Sequence, residues 1–158
     1  MVNEFQGMKL LILGGMRISC EIIHKAKSMG IYTIVADYNK IADEHFLVST
    51  IDVDEIVKLI KEQEINGVMV GFNDFMLPYY AEICKKSGLP SYGTKEQFDI
   101  FTNKGIYKKL CRKYNVPTVE EYSINQILNG KIDDELSFPV LVKPTDSSGA
   151  KGITVCQS

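Results

Sequence analysis

The chain has 158 residues, 45% of them hydrophobic, which is enough apolar surface for a packed core in one ordinary domain or a small domain plus part of a second. Lys and Arg total 18 against 20 Asp and Glu, for a net charge of -2; without a basic block or an aromatic-rich basic stripe, nucleic acid is excluded as the expected partner. The four cysteines, Cys20, Cys84, Cys111 and Cys156, stand far apart with no C-x-x-C, which argues against zinc and against a disulfide scaffold and points to a reducing, cytoplasmic setting. The N-terminal apolar run is too short for a signal peptide or a membrane span, so no membrane association is expected.

Residues 9–13, KLLIL, read as a buried strand. Ile18, Ile22, Ala26 and Met29 then recur at helical spacing until Gly30 stops the helix. YTIVA at 32–36 is a second strand leading into Asp37, and HFLVS at 45–49 a short third one. Val53, Ile56, Val57 and Ile60 make one face of a helix that Asp52 or Asp54 caps. GVMVGF, 67–72, is apolar almost throughout, the pattern of a strand buried on both faces. Asn73 or Asp74 caps the next helix, which turns Leu77, Tyr80, Ala81 and Cys84 inward and ends at Gly88 and Pro90. Strands alternating with helices predict an α/β open parallel sheet of four or five strands with helices on both faces.

After residue 93 the rhythm changes. Thr94 with Gln97 makes a capping-box pattern for a short helix. A second helix sets Ile106, Tyr107, Leu110, Cys111 and Tyr114 on one side and Lys104, Lys108, Lys109 and Arg112 on others, until Pro117 closes it. EEYSI (120–124), FPVLVKP (138–144) and GITVC (152–156) read as antiparallel strands. The expected boundary therefore lies near residues 92–102, dividing an α/β domain over 1–93 from a part of different character with antiparallel strands over 94–158.

FPVLVKPTDSSGAKGITV, 138–155, sets two apolar runs around a Ser/Gly-rich link and reads as a β-hairpin. Gly149 and Gly152 permit positive φ and close backbone approach, so amides and two hydroxyls can face phosphate oxygens while Lys143 and Lys151 supply charge. A solvated hairpin with surface lysines is the plainer reading of such a turn taken alone. Lys143 favours the phosphate reading, because a lysine at the end of an apolar run is costly to bury without an anionic partner.

TNKGIYKKLCRKYNVPT followed by FPVLVKPTDSSGAKGI resembles the ATP-grasp superfamily, in which a lysine-bearing helix ending in a GVPTP-like turn precedes an FPVVVKP…GSGGRGV-like hairpin. KLLILGG, VADYNKIADEHFLVST and GLPSYGT similarly resemble the Rossmann-like preATP-grasp domain of carbamoyl-phosphate synthase large chains, biotin carboxylases and the ATP-dependent subunit of phosphoribosylaminoimidazole carboxylase. The resemblance covers nearly the whole chain. It implies that the second part is the start of the α+β ATP-grasp lid subdomain, that Lys104 and Lys143 contact ATP phosphates, and that Ser147, Ser148, Gly149, Ala150, Lys151 and Gly152 form the lid loop. Asn103 departs from the family's usual Asp, and Ala150 from its frequent Gly. Family members continue for well over a hundred residues with the adenine contacts and the Mg²⁺ ligands. The expectation is therefore the N-terminal part of a ligase that phosphorylates a carboxylate for attack by an amine or other nucleophile, with this part binding nucleotide phosphates but not catalysing, and with no metal ligand of its own. The alternatives are a non-catalytic metabolite-binding module and a dinucleotide-binding oxidoreductase domain; homo-oligomerisation is left open.

Other positions have competing readings. Gly14 and Gly15 lie between the first strand and its helix, where amides favour an anion, but they lack a G-x-G-x-x-G and so argue weakly for a dinucleotide. In the family this edge lines the acceptor-substrate pocket, which implies substrate contacts for Gly14, Gly15, Asn73 and Asp74. Asp37 fits a ribose ligand or a strand-end cap, the cap being the more ordinary role without the glycine fingerprint. Asn73 and Asp74 fit a ligand edge or a helix cap equally. His24 and His45 have no partner at metal-ligand spacing.

Overall fold

Strand β1 (Lys9–Leu13) forms the middle of a four-stranded sheet, as its apolar sequence requires. The computed structural model describes residues 4–71, 73–130, 136–144 and 151–158. Beside β1 run β2 (Tyr32–Ala36) and β4 (Gly67–Val70), and β3 (Glu44–Phe46) closes the β2 side. All pairs are parallel, in the order β3-β2-β1-β4, with Leu11 opposite Ile34 and Val68. Helices α1 (Cys20–Ser28) and α2 (Val53–Glu62) make the crossovers, and α3 (Leu77–Ser87) follows the last strand of the sheet. One-turn 3-10 helices, Arg17–Ser19 and Asp74–Met76, precede α1 and α3.

The strand period of two divides the core by face. Leu11, Leu13, Ile34, Ala36, Val68 and Val70 pack with Ile56 and Ile60 of α2 and with Tyr80, Ile83 and Cys84 of α3. Ile12 and Val35 point the other way, onto Ile23 of α1. Each fully buried Leu or Ile here contributes on the order of 1.5–3 kcal/mol. Asp52 caps α2 by accepting from Glu55 N–H at 3.2 Å, and Gly88 ends α3 at φ 67°. The third strand is shorter than its apolar sequence suggests: β3 stops at Phe46, and Leu47 stands 77% exposed beyond it.

The chain divides into two compact units, Met1–Asp99 and Ile100–Ser158. The first extends past residue 93 because aromatic side chains carry its core onward. Tyr92 stacks on Tyr80 at 4.4 Å, Phe98 meets Tyr92 edge-on at 5.6 Å, and the Tyr92 hydroxyl donates to Val70 O at 3.1 Å. Burial, reinforced by Tyr80, pushes the Tyr92 phenol up to about 12. Gly93 has no room for a side chain, since a Cβ there would lie 2.6 Å from the Phe98 ring. Thr94 and Gln97 exchange both bonds of the expected capping box at the start of α4 (Lys95–Thr102).

The second unit contains α5 (Lys104–Lys113), α6 (Ile124–Leu128) and the antiparallel pair β5 (Val140–Val142) and β6 (Thr154–Cys156). One expectation is corrected here. Residues 120–124 form no strand; Ser123 instead caps α6, its Oγ accepting from Gln126 N–H at 3.2 Å while Gln126 Oε1 accepts from Ser123 N–H at 3.0 Å. A complete capping box satisfies two helix-end donors locally, which a short run of β-formers without a pairing partner does not offset. Among the described residues no helix is long and apolar enough to cross a membrane.

Candidate functional site

At the carboxyl edge of the parallel sheet, the turns after β1, β2 and β4 hold the residues singled out from sequence. Gly14 takes φ +95°, which turns the chain sharply out of β1. Gly15 is buried, and its N–H donates to Asp37 Oδ2 at 2.5 Å, while Tyr38 N–H donates to Asp37 Oδ1 at 2.6 Å. Asn39 Nδ2 donates to Gly15 O at 2.8 Å, and Ser19 Oγ to Gly14 O at 2.9 Å. Asp37 is thus a cap for two turns, the more ordinary of the two roles weighed for it. Asn73 and Asp74 stand at the turn after β4, but neither caps: Asn73 occupies the N-cap position of the following 3-10 helix without a side-chain hydrogen bond. The turn presses on the start of the first crossover helix, since a Cβ at Gly71 would lie 3.1 Å from Ile22 Cδ1.

In the second unit Lys104 is the first residue of α5, and Asn103 caps the helix by accepting from Ile106 N–H at 3.0 Å. Asparagine serves at this N-cap as aspartate could, because either side chain offers the accepting oxygen. A lysine in the first turn adds to the positive end of the helix dipole, and no acidic residue in that turn neutralises it. Lys143 directly follows β5 and is exposed, as are Leu141 and Val142 beside it, so the argument from costly burial does not apply to it. Across the hairpin Gly152 takes φ +72°, and a Cβ there would stand 2.9 Å from Pro144 Cγ; only glycine fits this return. Lys151 is exposed next to it. Ser147, Ser148, Gly149 and Ala150 lie outside the described residues.

A groove of about 660 Å³ in the same unit, lined among others by Arg112, Glu121 and Gln126, was not foreseen from sequence. Glu121 accepts from Lys108 at 2.9 Å and also pairs with Arg112, and Lys108 first, then Arg112, hold its carboxyl below the usual range. Lys108 and Arg112 are thereby committed to Glu121. The i,i+4 spacing of the two bases was the visible signal; their partner nine residues beyond Arg112 was not. Among the described residues no group of three His, Cys, Asp or Glu could hold a metal ion.

No protein-family model matches the chain. The small subunit of 2-oxoglutarate carboxylase from Hydrogenobacter thermophilus is 26% identical over 171 residues, covering 95% of this chain and 36% of that subunit. Phosphoribosylamine–glycine ligase of Methanopyrus kandleri is 28% identical over 119 residues, covering 73% of this chain and 26% of the ligase. The solved biotin carboxylase domain of the Hydrogenobacter thermophilus enzyme, in complex with MgADP, ADP and bicarbonate, matches with a TM-score of 0.72 at 24% identity, over 94% of this chain and 37% of that one.

The four-stranded parallel sheet with its crossover helices is thus the fold of ATP-grasp N-terminal domains. The chain's homologues and structural neighbours are all ligases of the ATP-grasp superfamily, and its similarity covers their N-terminal part. It spans little more than a third of one curated relative and about a quarter of the other.

Proposed function

We propose that the chain is the N-terminal part of an ATP-dependent ligase that activates a carboxylate as an acyl phosphate for attack by an amine or other nucleophile. One observation supports this best: similarity to an ATP-grasp ligase extends over 95% of the chain, which includes the lysine helix and the hairpin in which Lys143, Lys151 and Gly152 flank the turn. In this reading ATP supplies the phosphoryl group. Lys104 and Lys143 bind its phosphates, Lys151 adds charge at the turn, and Gly152, held against Pro144, lets the backbone return close to the nucleotide. Ser147, Ser148, Gly149 and Ala150 complete the loop and exclude water. Gly14, Gly15, Asn73 and Asp74 border the acceptor. The described residues position and neutralise phosphates and move no proton, so the chain by itself binds nucleotide without turning it over.

Thermal unfolding with ATP, ADP and NAD tests the reading, because a ligand that binds only the native state raises its stability. ATP and ADP should raise the midpoint, NAD should not, and Lys143→Ala should abolish the ATP shift. In the whole ligase the same substitution should cost about 2–4 kcal/mol of transition-state stabilisation. A shift with NAD alone, or an ATP shift that survives both Lys104→Ala and Lys143→Ala, would overturn it.

A further inference from the structure

The turn between the first strand and first helix of an open α/β sheet ordinarily offers its backbone amides to a phosphoryl group. In this chain the turn is already filled from within. The buried Gly15 gives its N–H to Asp37 Oδ2 at 2.5 Å, and Asn39 Nδ2 holds Gly15 O at 2.8 Å. The fit is close as well as polar: a Cβ on Gly15 would stand 3.0 Å from Asn39 Cβ, 3.1 Å from Val35 Cγ1 and 3.2 Å from Asp37 Cβ. Tyr38 N–H fixes the second carboxylate oxygen at 2.6 Å, so the carboxylate is clamped by two amides from two turns. A phosphate oxygen reaching for Gly15 N–H must displace one anion and then sit beside it. Like charges at such a distance repel with little screening at a partly buried position.

We propose that Asp37 is a specificity-determining residue: it bars phosphoryl groups from the turn after β1, so the acceptor taken at this edge of the sheet is a small molecule that presents no phosphate there. The device acts by repulsion and a withheld donor against the wrong ligand. It deepens the ligase reading and rests on it only in treating this edge as the acceptor pocket. One relative is named for a phosphoribosylamine and the other for 2-oxoglutarate, an acid without phosphate.

The test follows the Gly14, Gly15 and Tyr38 amide signals of the isotopically labelled 158-residue chain by NMR during titration with ribose 5-phosphate and, separately, NAD. ATP is left out, so the outcome is independent of the lysines of the second unit, and phosphate bound elsewhere does not move these three signals. In the unmodified chain the signals should stay in place, and the Gly15 amide should exchange with solvent at least about tenfold more slowly than an unprotected amide. Asp37→Asn, and Asp37→Ser as a smaller uncharged acceptor, should each bind ribose 5-phosphate at least about tenfold more tightly, with shifts centred on Gly15. Three results would each overturn the proposal: shifts at Gly15 in the unmodified chain, a Gly15 amide that exchanges freely, or folded variants that gain nothing. The first two need no variant, so a misfolded substitution leaves the question decidable. Unchanged ATP binding alongside such a failure would remove the role of Asp37 and leave the ligase reading standing.

Discussion

Residues 1–99 bury Leu11, Ile12, Ile34, Val35, Ile56 and Ile83 completely on the two faces of a parallel sheet, whereas in residues 100–158 Cys111 is the one buried hydrophobic side chain among those described. Leu141, Val142 and Val155 of the hairpin are about half exposed. The first unit is held by apolar burial, worth on the order of 1.5–3 kcal/mol for each large side chain. The second is held by helix caps at Asn103 and Ser123 and by the Lys108–Glu121–Arg112 cluster, contributions of about 1 kcal/mol or less apiece. A scaffold that positions an acceptor benefits from the first kind of stability. In the ligase reading proposed above, a nucleotide-binding segment would benefit from the second, because binding energy can then set its order.

The largest expected effect sharpens this contrast through paired truncations. Leu11→Ala, at a fully buried position, should destabilise the chain by about 2–5 kcal/mol, while Val142→Ala, half exposed in β5, should cost under about 1 kcal/mol. Urea unfolding of the two variants measures both, and equal losses would dissolve the distinction between the units.

A smaller effect is expected at the cap of α5. Asn103→Ala removes the acceptor for Ile106 N–H and should cost about 1 kcal/mol, while Asn103→Asp should be nearly neutral. Hydrogen exchange should show the loss as faster exchange in α5 with the amides of β1 and β2 unchanged. Faster exchange spreading equally into those strands would mean that the units unfold as one.

The smallest effect is a pH dependence with one member in each unit. Burial alone would raise the Asp43 carboxyl, but Lys27 at 2.7 Å and the Thr33 amide and hydroxyl at 2.9 and 2.8 Å outweigh it and hold it below 3.8. Glu121 is held below 4.5 by Lys108, then Arg112. A carboxyl whose folded pKa is depressed contributes stability that is present above its unfolded value and is lost as pH falls through the folded one. Melting temperature should therefore be insensitive to these groups between pH 7 and about 5 and should fall below about pH 4. Asp43→Asn should flatten the acid loss as seen in β2 signals, and Glu121→Gln as seen in α5 signals. An acid loss identical in both variants and in the unmodified chain would assign it to other groups.

How much was legible in the sequence depended on whether the cause was local. Short continuous apolar runs marked β1, β2 and β4, and period-3.6 apolar patterns marked helices α1, α2 and α3, because burial writes itself into spacing. Caps at Asp52 and at Thr94 with Gln97 act within three residues, so they too could be read directly. Ser123 with Gln126 was equally local, and was outweighed in the reading by neighbouring β-formers. Folding decided what joins distant residues. Asp37 and Gly15 are 22 positions apart and meet only because β1 and β2 pair in register; Tyr92 reaches Val70 over the same separation through the aromatic cluster; and Glu121 finds Lys108 and Arg112 only once the chain after α5 folds back. Glycine at 14 and 15 was visible as a candidate anion turn, but whether its amide faces a ligand or a carboxylate of the same chain is settled by the approach of a neighbouring strand, which no local pattern encodes.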